Sequence, residues 1–387
     1  MTDARRHTVA LVAQCRAGFE PEAAIDLQRL ASLARADVDI DASPGRGFVA
    51  ARPREFAARR WKRALESRRP IFIRTLFVGT GPHVLLEAPL ARGRPDRVAP
   101  LARAIAALRS GSVLDALIGP TDSSGASYAS LRIEMPDTNE GKALSGLARA
   151  LDAALTAHLR KDGVLAAFDE ASDRTIGAYV HVFLVDGANA YVGASAAPWA
   201  SRWPMGIPRL RMPGSAPSRS TLKLAEAVAS FLGTREAELL RAGMRAVDLG
   251  AAPGGWTWQL AHRGLRVTAV DNGPLKGSVR DDPLVTHLRA DGLTFLPGRP
   301  VDWMTCDIVE TPARIAALVA RWIGEGHARH CIFNLKLPMK KRYDEVERCI
   351  AIIDAGLARS RERHHFAMRQ LYHDREEVTG CVTCVRS

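Results

Sequence analysis

Short apolar runs and helical periodicities divide the chain into two textures. In the first half, the runs at 8–12, 71–78, 130–134 and 178–185 read as strands, with 38–40 and 47–50 as a hairpin and 84–87 as a further short strand. Apolar positions recur at helical spacing over 22–34, 97–108 and 142–159, and 53–67 reads as a basic helix. The pattern predicts two small α/β modules. Neither carries a Gly-rich phosphate loop or clustered His or carboxylates, so this half is assigned to binding.

The second half repeats strand then helix. Strands are expected at 245–249, 265–270, 285–288, 301–306 and 331–335, helices at 255–262, 312–323 and 343–358, and a closing hairpin at 366–372 and 378–385. Such alternation argues a doubly wound parallel sheet whose ligands sit at the carboxyl ends of the strands. Between the halves, Pro198, Pro204, Pro208, Pro213 and Pro217 interleave with Trp199, Trp203, Arg202, Arg209, Arg211 and Arg219, which reads as a basic linker over 191–215.

At 387 residues the chain has room for two or three domains, and 47% hydrophobic with 25% charged residues lets each bury a core. No apolar run is long enough for a membrane span, and Met1 to Arg6 lacks the h-region of a secretory signal, so a cytoplasmic protein is expected. The six dispersed cysteines read as reduced thiols; Cys381 and Cys384 lack a second pair for zinc and are placed in a terminal strand, and no metal is expected. Charge is more informative. The first 110 residues hold 20 basic and 11 acidic side chains, hence +9 of the net +12. Arg52, Arg54, Arg59, Arg60, Lys62, Arg63, Arg68, Arg69 and Arg74 face only Glu55 and Glu66, a concentration suited to nucleic-acid phosphates.

The chemistry concentrates in Asp248-Leu249-Gly250-Ala251-Ala252-Pro253-Gly254-Gly255-Trp256, between the first strand and first helix of the second half. Glycines there permit a tight turn and close backbone approach, but the spacing is not that of a dinucleotide loop. Asp248, Asp271, Asp291 and Asp307 fall at successive strand ends, where they would repel phosphates. A cationic, phosphate-free cofactor, S-adenosylmethionine, fits them better than NAD.

The loop resembles that of the FtsJ-like ribose 2′-O-methyltransferases, which use a Lys-Asp-Lys-Glu tetrad. The string Pro217 to Leu224 offers Lys223, Cys306-Asp307 offers the Asp, Phe333 to Lys341 offers Lys336, and Tyr372 to Thr379 offers Glu377, with Glu376 as the neighbouring alternative. The last three strings resemble the bacterial large-subunit rRNA (cytidine) ribose 2′-O-methyltransferase M family (RlmM), and Cys15 to Glu20 resembles its opening motif. That resemblance implies a ferredoxin-like domain (1–70), a THUMP RNA-binding domain (71–190) and, after the linker, a Rossmann-like class I methyltransferase domain (216–387). It implies 23S rRNA, free or in an assembling large-subunit particle, as the partner of what is expected to be a monomer.

In the implied chemistry Lys336 is the general base, Lys223 holds the hydroxyl or alkoxide, Asp307 orients Lys336 and Glu377 anchors a lysine from the far side. Whether Lys223 depresses the proton affinity of Lys336 or the carboxylates raise it is left open by the sequence. The cofactor contacts carried over are Ser220, Ala252, Pro253, Gly254, Gly255, Asp271, Asp291 and Asp307, while Trp256 is expected to pack against the sheet. Lys340, Lys341 and Arg342 form a basic rim, and His364 and His365 read as structural. The rivals are a catalytically silent RNA-binding or ribosome-assembly factor, and a base methyltransferase using Cys306, which strand alternation should turn away from the site.

Overall fold

The computed structural model describes residues 9–67, 69–86, 96–109, 128–165, 178–196 and 199–385; Met1 to Arg6, Arg68, Glu87 and Pro198 lie outside them. The chain forms two compact units, 1–207 and 208–387.

The first unit is built on one seven-stranded sheet of order β2-β3-β1-β4-β7-β6-β5. Its strands are β1 (Val9–Gln14), β2 (Val38–Asp41), β3 (Phe48–Pro53), β4 (Thr75–Val84), β5 (Ser130–Glu134), β6 (Ala178–Leu184) and β7 (Asn189–Ala196). The helices are α1 (Glu20–Ala34), α2 (Ala58–Ser67), α3 (Val98–Arg109), α4 (Asn139–Ala143) and α5 (Ser145–Lys161). Three expectations are corrected here. The segments 71–78 and 84–87 are not two strands: a single strand, β4, runs from Thr75 to Val84, and residues 71–74 and 85–86 lie outside it. The helix expected over 142–159 is two helices broken at Leu144. Residues 191–196, expected as linker, belong to β7, which pairs with β4 and β6.

β4 pairs with β1 on one side and β7 on the other, so the sheet runs without interruption past residue 70. The opening motif has a structural reason: the buried Glu20 carboxylate accepts the Gly18 and Gly47 amides at 2.9 and 2.7 Å. Deeper in the sheet, Glu134 Oε2 takes Gln14 Nε2 and His181 Nδ1, both at 2.9 Å, and His181 Nε2 lies 2.7 Å from Ser195 Oγ. Glu134, His181 and Ser195 are all 0% exposed, so this Ser-His-Glu chain satisfies buried polar groups and offers no reachable nucleophile. On α2, Trp61, Ala64 and Leu65 are buried while Arg59, Arg60 and Arg63 stay exposed. Arg74 leaves the basic surface counted from sequence: it is buried and its Nη1 is 2.9 Å from Asp137 Oδ2.

The second unit holds a seven-stranded sheet of order β10-β9-β8-β11-β12-β14-β13. The strands are β8 (Arg245–Leu249), β9 (Arg266–Val270), β10 (Val285–Leu288), β11 (Val301–Cys306), β12 (Ala328–Lys336), β13 (His364–Arg369) and β14 (Glu377–Cys384). The first five are parallel, while β14 lies antiparallel between β12 and β13. The helices are α6 (Thr221–Ala227), α7 (Glu236–Leu239), α8 (Gly255–Ala261), α9 (Pro312–Gly324) and α10 (Arg342–Leu357). Trp256, Leu260, Trp303 and Ile332 share a core cluster with Leu224 and Ala227 of α6. Helix α6 is thereby fixed to the sheet that carries the site.

Candidate active site

β12 and β14 place Lys336 opposite Glu377 and Asn334 opposite Thr379. Alternate residues of a strand share a face, so these four side chains stand together. The parallel register of β11 with β12 ends at Cys306 opposite Phe333, which brings Asp307 beside Asn334. From α6 comes Lys223. Lys336 Nζ donates to Asp307 Oδ1 at 2.9 Å and lies 2.8 Å from Glu377 Oε1. Lys223 Nζ donates to Glu377 Oε2 at 2.6 Å and lies 3.6 Å from Asp307 Oδ2. Each lysine thus faces both carboxylates, in a site whose side chains are 13 to 23% exposed. Glu376 falls on the opposite face and pairs with Arg342 at 3.0 Å.

The question of Lys336 is answered by this geometry. Burial alone would lower its proton affinity, but Asp307 and Glu377 outweigh burial and raise it. Its amine is an ammonium in the resting site.

The glycine loop is held from both ends. Gly250 and Gly254 adopt positive φ, +76° and +116°, which favours glycine. The Asp271 carboxylate accepts the Ala252 amide at 2.9 Å and the Gly273 amide at 2.7 Å. Gly255 packs so tightly on residues 218–221 that a Cβ would stand 2.8 Å from the Thr221 nitrogen and nearer still to Ser220 Oγ, itself 2.7 Å from Ser218 Oγ. Pro253 O accepts the Lys276 amide at 2.9 Å. Asp291 is exposed and its Oδ1 accepts the Leu293 amide at 2.9 Å.

Asp248 departs from the expected row of four open carboxylates. It is buried and accepts the Thr257 and Thr305 hydroxyls at 2.6 and 2.8 Å. Burial pushes it up to about 7 against those hydrogen bonds. Asp271 and Asp291 are left as the open carboxylates, with Asp307 paired to the two lysines. The set fits the expected cofactor: each Asp271 oxygen takes one amide and keeps a second lone pair for a ribose hydroxyl, and Asp271 and Asp291, beside a loop without lysine or arginine, suit a cation.

Cys306 is fully buried, and burial pushes its thiol up to about 12, so it is no accessible thiolate. Cys381 and Cys384 are buried in β14. His364 Nδ1 lies 3.1 Å from Glu362 O. Among the described residues no group of three or more His, Cys, Asp or Glu is arranged to hold a metal, and no helix is long and apolar enough to cross a membrane.

Sequence reasoning missed three buried side chains behind the tetrad. Asn334 Nδ2 donates to Asp307 Oδ1 at 3.0 Å and Glu377 Oε2 at 3.1 Å, and Thr379 Oγ1 donates to Asn334 Oδ1 at 2.8 Å. Glu226, one helical turn beyond Lys223, accepts the Tyr372 and His373 amides at 2.8 Å each and His373 Nδ1 at 2.6 Å. The period of two in β12 and β14 points to Asn334 and Thr379, the residues two positions from Lys336 and Glu377. It also missed two apolar side chains on the rim, Val309 and Met339, which are 85% and 86% exposed.

Residues 216–368 match the FtsJ-like methyltransferase family, and the fold and site define the second unit as a methyltransferase of that ribose 2′-O class, with S-adenosylmethionine as cofactor. Residues 96–196 match the N-terminal family of ribosomal RNA large subunit methyltransferase M. The protein of that name from Azoarcus sp. (strain BH72) is 45% identical over 375 residues, covering 96% of this chain and 95% of its own. Its namesake from Thauera aminoaromatica is 43% identical over 380 residues, 97% of this chain and 96% of its own. That of Stutzerimonas stutzeri (strain A1501) is 52% identical over 252 residues, 65% of this chain and 70% of its own. The chain belongs to the ribosomal RNA large subunit methyltransferase M family.

Proposed function

We propose that the enzyme methylates the ribose 2′-hydroxyl of a cytidine in 23S rRNA, with Lys336 as general base. The observation that carries this is the closed square of Lys223, Asp307, Lys336 and Glu377. S-adenosylmethionine, when bound, supplies the electrophilic methyl group and a positive charge. Asp271 and Asp291 would hold it together with Ser220, Ala252, Pro253, Gly254, Gly255 and Asp307. Lys336 holds a proton at Nζ in the resting site; release of that proton to the solvent that reaches its partly exposed side chain leaves a lone pair that takes the 2′-hydroxyl proton. Lys223 stands on the other side of the carboxylates, where its ammonium stabilises a developing alkoxide. Asp307 and Glu377 fix the two amines a defined distance apart.

The first unit selects the RNA. Its division into a ferredoxin-like part (1–70) and a THUMP part (71–190) rests on the resemblance, and its exposed Arg59, Arg60 and Arg63 are placed for phosphate contacts. All four tetrad residues come from the second unit, so no second copy is needed to complete the site, and the enzyme acts as a monomer in the cytoplasm, where ribosomal RNA is made. The test is transfer of a labelled methyl group to unmodified 23S rRNA and, separately, to precursor large-subunit particles, with digestion to nucleosides. A single 2′-O-methylcytidine is expected; label on a base, or none with either substrate, would overturn the reading.

A further inference from the structure

Asn334 is 0% exposed, yet its amide sits between the two carboxylates of the tetrad. Its orientation is forced. A flipped amide would set Oδ1 against two carboxylate oxygens, whereas the observed one donates one hydrogen to each and accepts from the Thr379 hydroxyl. That hydroxyl has a single proton, spent on Asn334, while Thr379 Oγ1 also lies 2.9 Å from Asp374 Oδ2. Asp374 Oδ2 also accepts the Leu371 amide at 3.0 Å, and burial holds this carboxyl well above the usual carboxylate range. A continuous chain of polar contacts runs from Asp374 through Thr379 and Asn334 to Asp307 and Glu377, and the Asn334 amide donates its two hydrogens at the tetrad end.

We propose that Asn334 is a positioning residue for methyl transfer: its amide fixes the spacing of Asp307 and Glu377 and blunts their pull on the Lys336 proton. The charged groups facing Lys336 are Asp307 at the end of β11, Glu377 on β14 and Lys223 on α6, with Asp374 behind Thr379. Hydrogen bonds donated to a carboxylate spread its charge, and without them the carboxylate holds a neighbouring ammonium proton more firmly. Asn334 thus makes it easier for Lys336 to become neutral.

The inference rests on Lys336 being the base. In Asn334→Asp the side chain keeps its size, but two donated hydrogens give way to a third carboxylate. The first readout is acylation of the full-length, cofactor-free protein by an N-hydroxysuccinimide ester, scored by mass spectrometry as labelling of Lys336 relative to exposed Lys340. Only the neutral amine reacts, so the ratio should fall about tenfold, equivalent to about one pH unit in Lys336. A purely structural role predicts the opposite, a looser site and faster labelling. The second readout is the pH profile of kcat, whose rise should move to higher pH in Asn334→Asp and by less in Asn334→Ala. Thr379→Val leaves Asn334 in place but removes the hydroxyl that orients it, and it should move both readouts in the same direction; it decides the matter if the Asn334 variants do not fold. Unchanged or faster labelling with an unmoved profile overturns the inference. Full activity in Lys336→Ala overturns the base assignment instead, whatever Asn334 does.

Discussion

Lys336 and Glu377 are register partners across the antiparallel β12–β14 pair, and their charged ends meet at 2.8 Å. Shifting that register by one residue would bring Glu376 to the site and turn Glu377 to the face where Arg342 now holds Glu376. The choice between two adjacent glutamates is made by the pleat.

Replacing each glutamate separately checks this. Glu377→Gln removes one of the two carboxylates that raise the Lys336 proton affinity, so the rise of kcat should move to lower pH while its plateau falls at least about tenfold, about 1.4 kcal/mol. Glu376→Gln should stay within about twofold of wild type, because Glu376 is exposed, points away from the tetrad and pairs with Arg342, a contact that contributes about 1 kcal/mol or less. Equal losses in the two would contradict the geometry.

Lys336→Ala should lower kcat by about 10² to 10⁴, the usual contribution of a general base, while isothermal titration finds cofactor affinity near wild type. Residual turnover within about tenfold would remove Lys336 from the role.

Gly255→Ala places a methyl group against Ser220 and Thr221, the start of the helix that delivers Lys223. Cofactor affinity and activity should both drop at least about tenfold, through distortion of a packed contact. Gly214→Ala, where a Cβ meets nothing within 4 Å, is the control and should be neutral. If both variants behave alike, the close approach at Gly255 is not limiting.

Asp248 makes stability depend on pH. Its carboxyl titrates near 7 in the folded protein against an ordinary value of 3.8, so between those values the native state binds more protons than the unfolded one. Stability should therefore fall as pH rises from about 4 to 7, by at most about 1.4 kcal/mol per pH unit from this group. Urea unfolding of Asp248→Asn, whose amide still hydrogen-bonds Thr257 and Thr305, should show a flatter dependence over that window. Parallel curves would mean the charge is carried without cost.

Met339 lies three residues past Lys336 and Val309 two past Asp307, both almost fully exposed. Apolar side chains so placed suit contact with RNA bases held at the site. Met339→Ala should leave the unfolding midpoint within about 0.5 kcal/mol of wild type and raise the KM for RNA several-fold with little change in kcat. An unchanged KM would leave that exposure without a role in substrate binding.

Much of the catalytic unit was legible because β-branched and apolar residues cluster in short stretches bounded by turns and alternate with helical periodicities: β8, β10 and β11 fall on the residues expected. β7 was not. Gly193 and the alanines around it look like a loop in sequence, but a Cβ at 193 would stand 2.5 Å from Val78 O, so small residues are what close pairing with β4 requires. Lys223, Asp307, Lys336 and Glu377 were named from their strings, Glu377 over Glu376 from strand parity, and the four side chains do meet. Glu226 escaped because its partners, the amides of Tyr372 and His373, lie 146 and 147 positions away, and Asn334 because its face is fixed only once Lys336 is placed on β12. The state of Asp248 and the balance at Lys336 depend on burial and partners far apart in the chain; Lys223 and Glu377 are separated by 154 positions.

β14 is later in the chain than β13 yet lies between it and β12, and β13 has no other partner in the sheet. During synthesis, β13 therefore leaves the ribosome with nothing to pair with until β14 follows. The same arrival carries Glu377, the counter-charge that both lysines share. Completion of the sheet and assembly of the four charged side chains are one event, so a nascent or C-terminally clipped chain has its first seven-stranded sheet whole while the second lacks both an inner strand and the carboxylate the two lysines share.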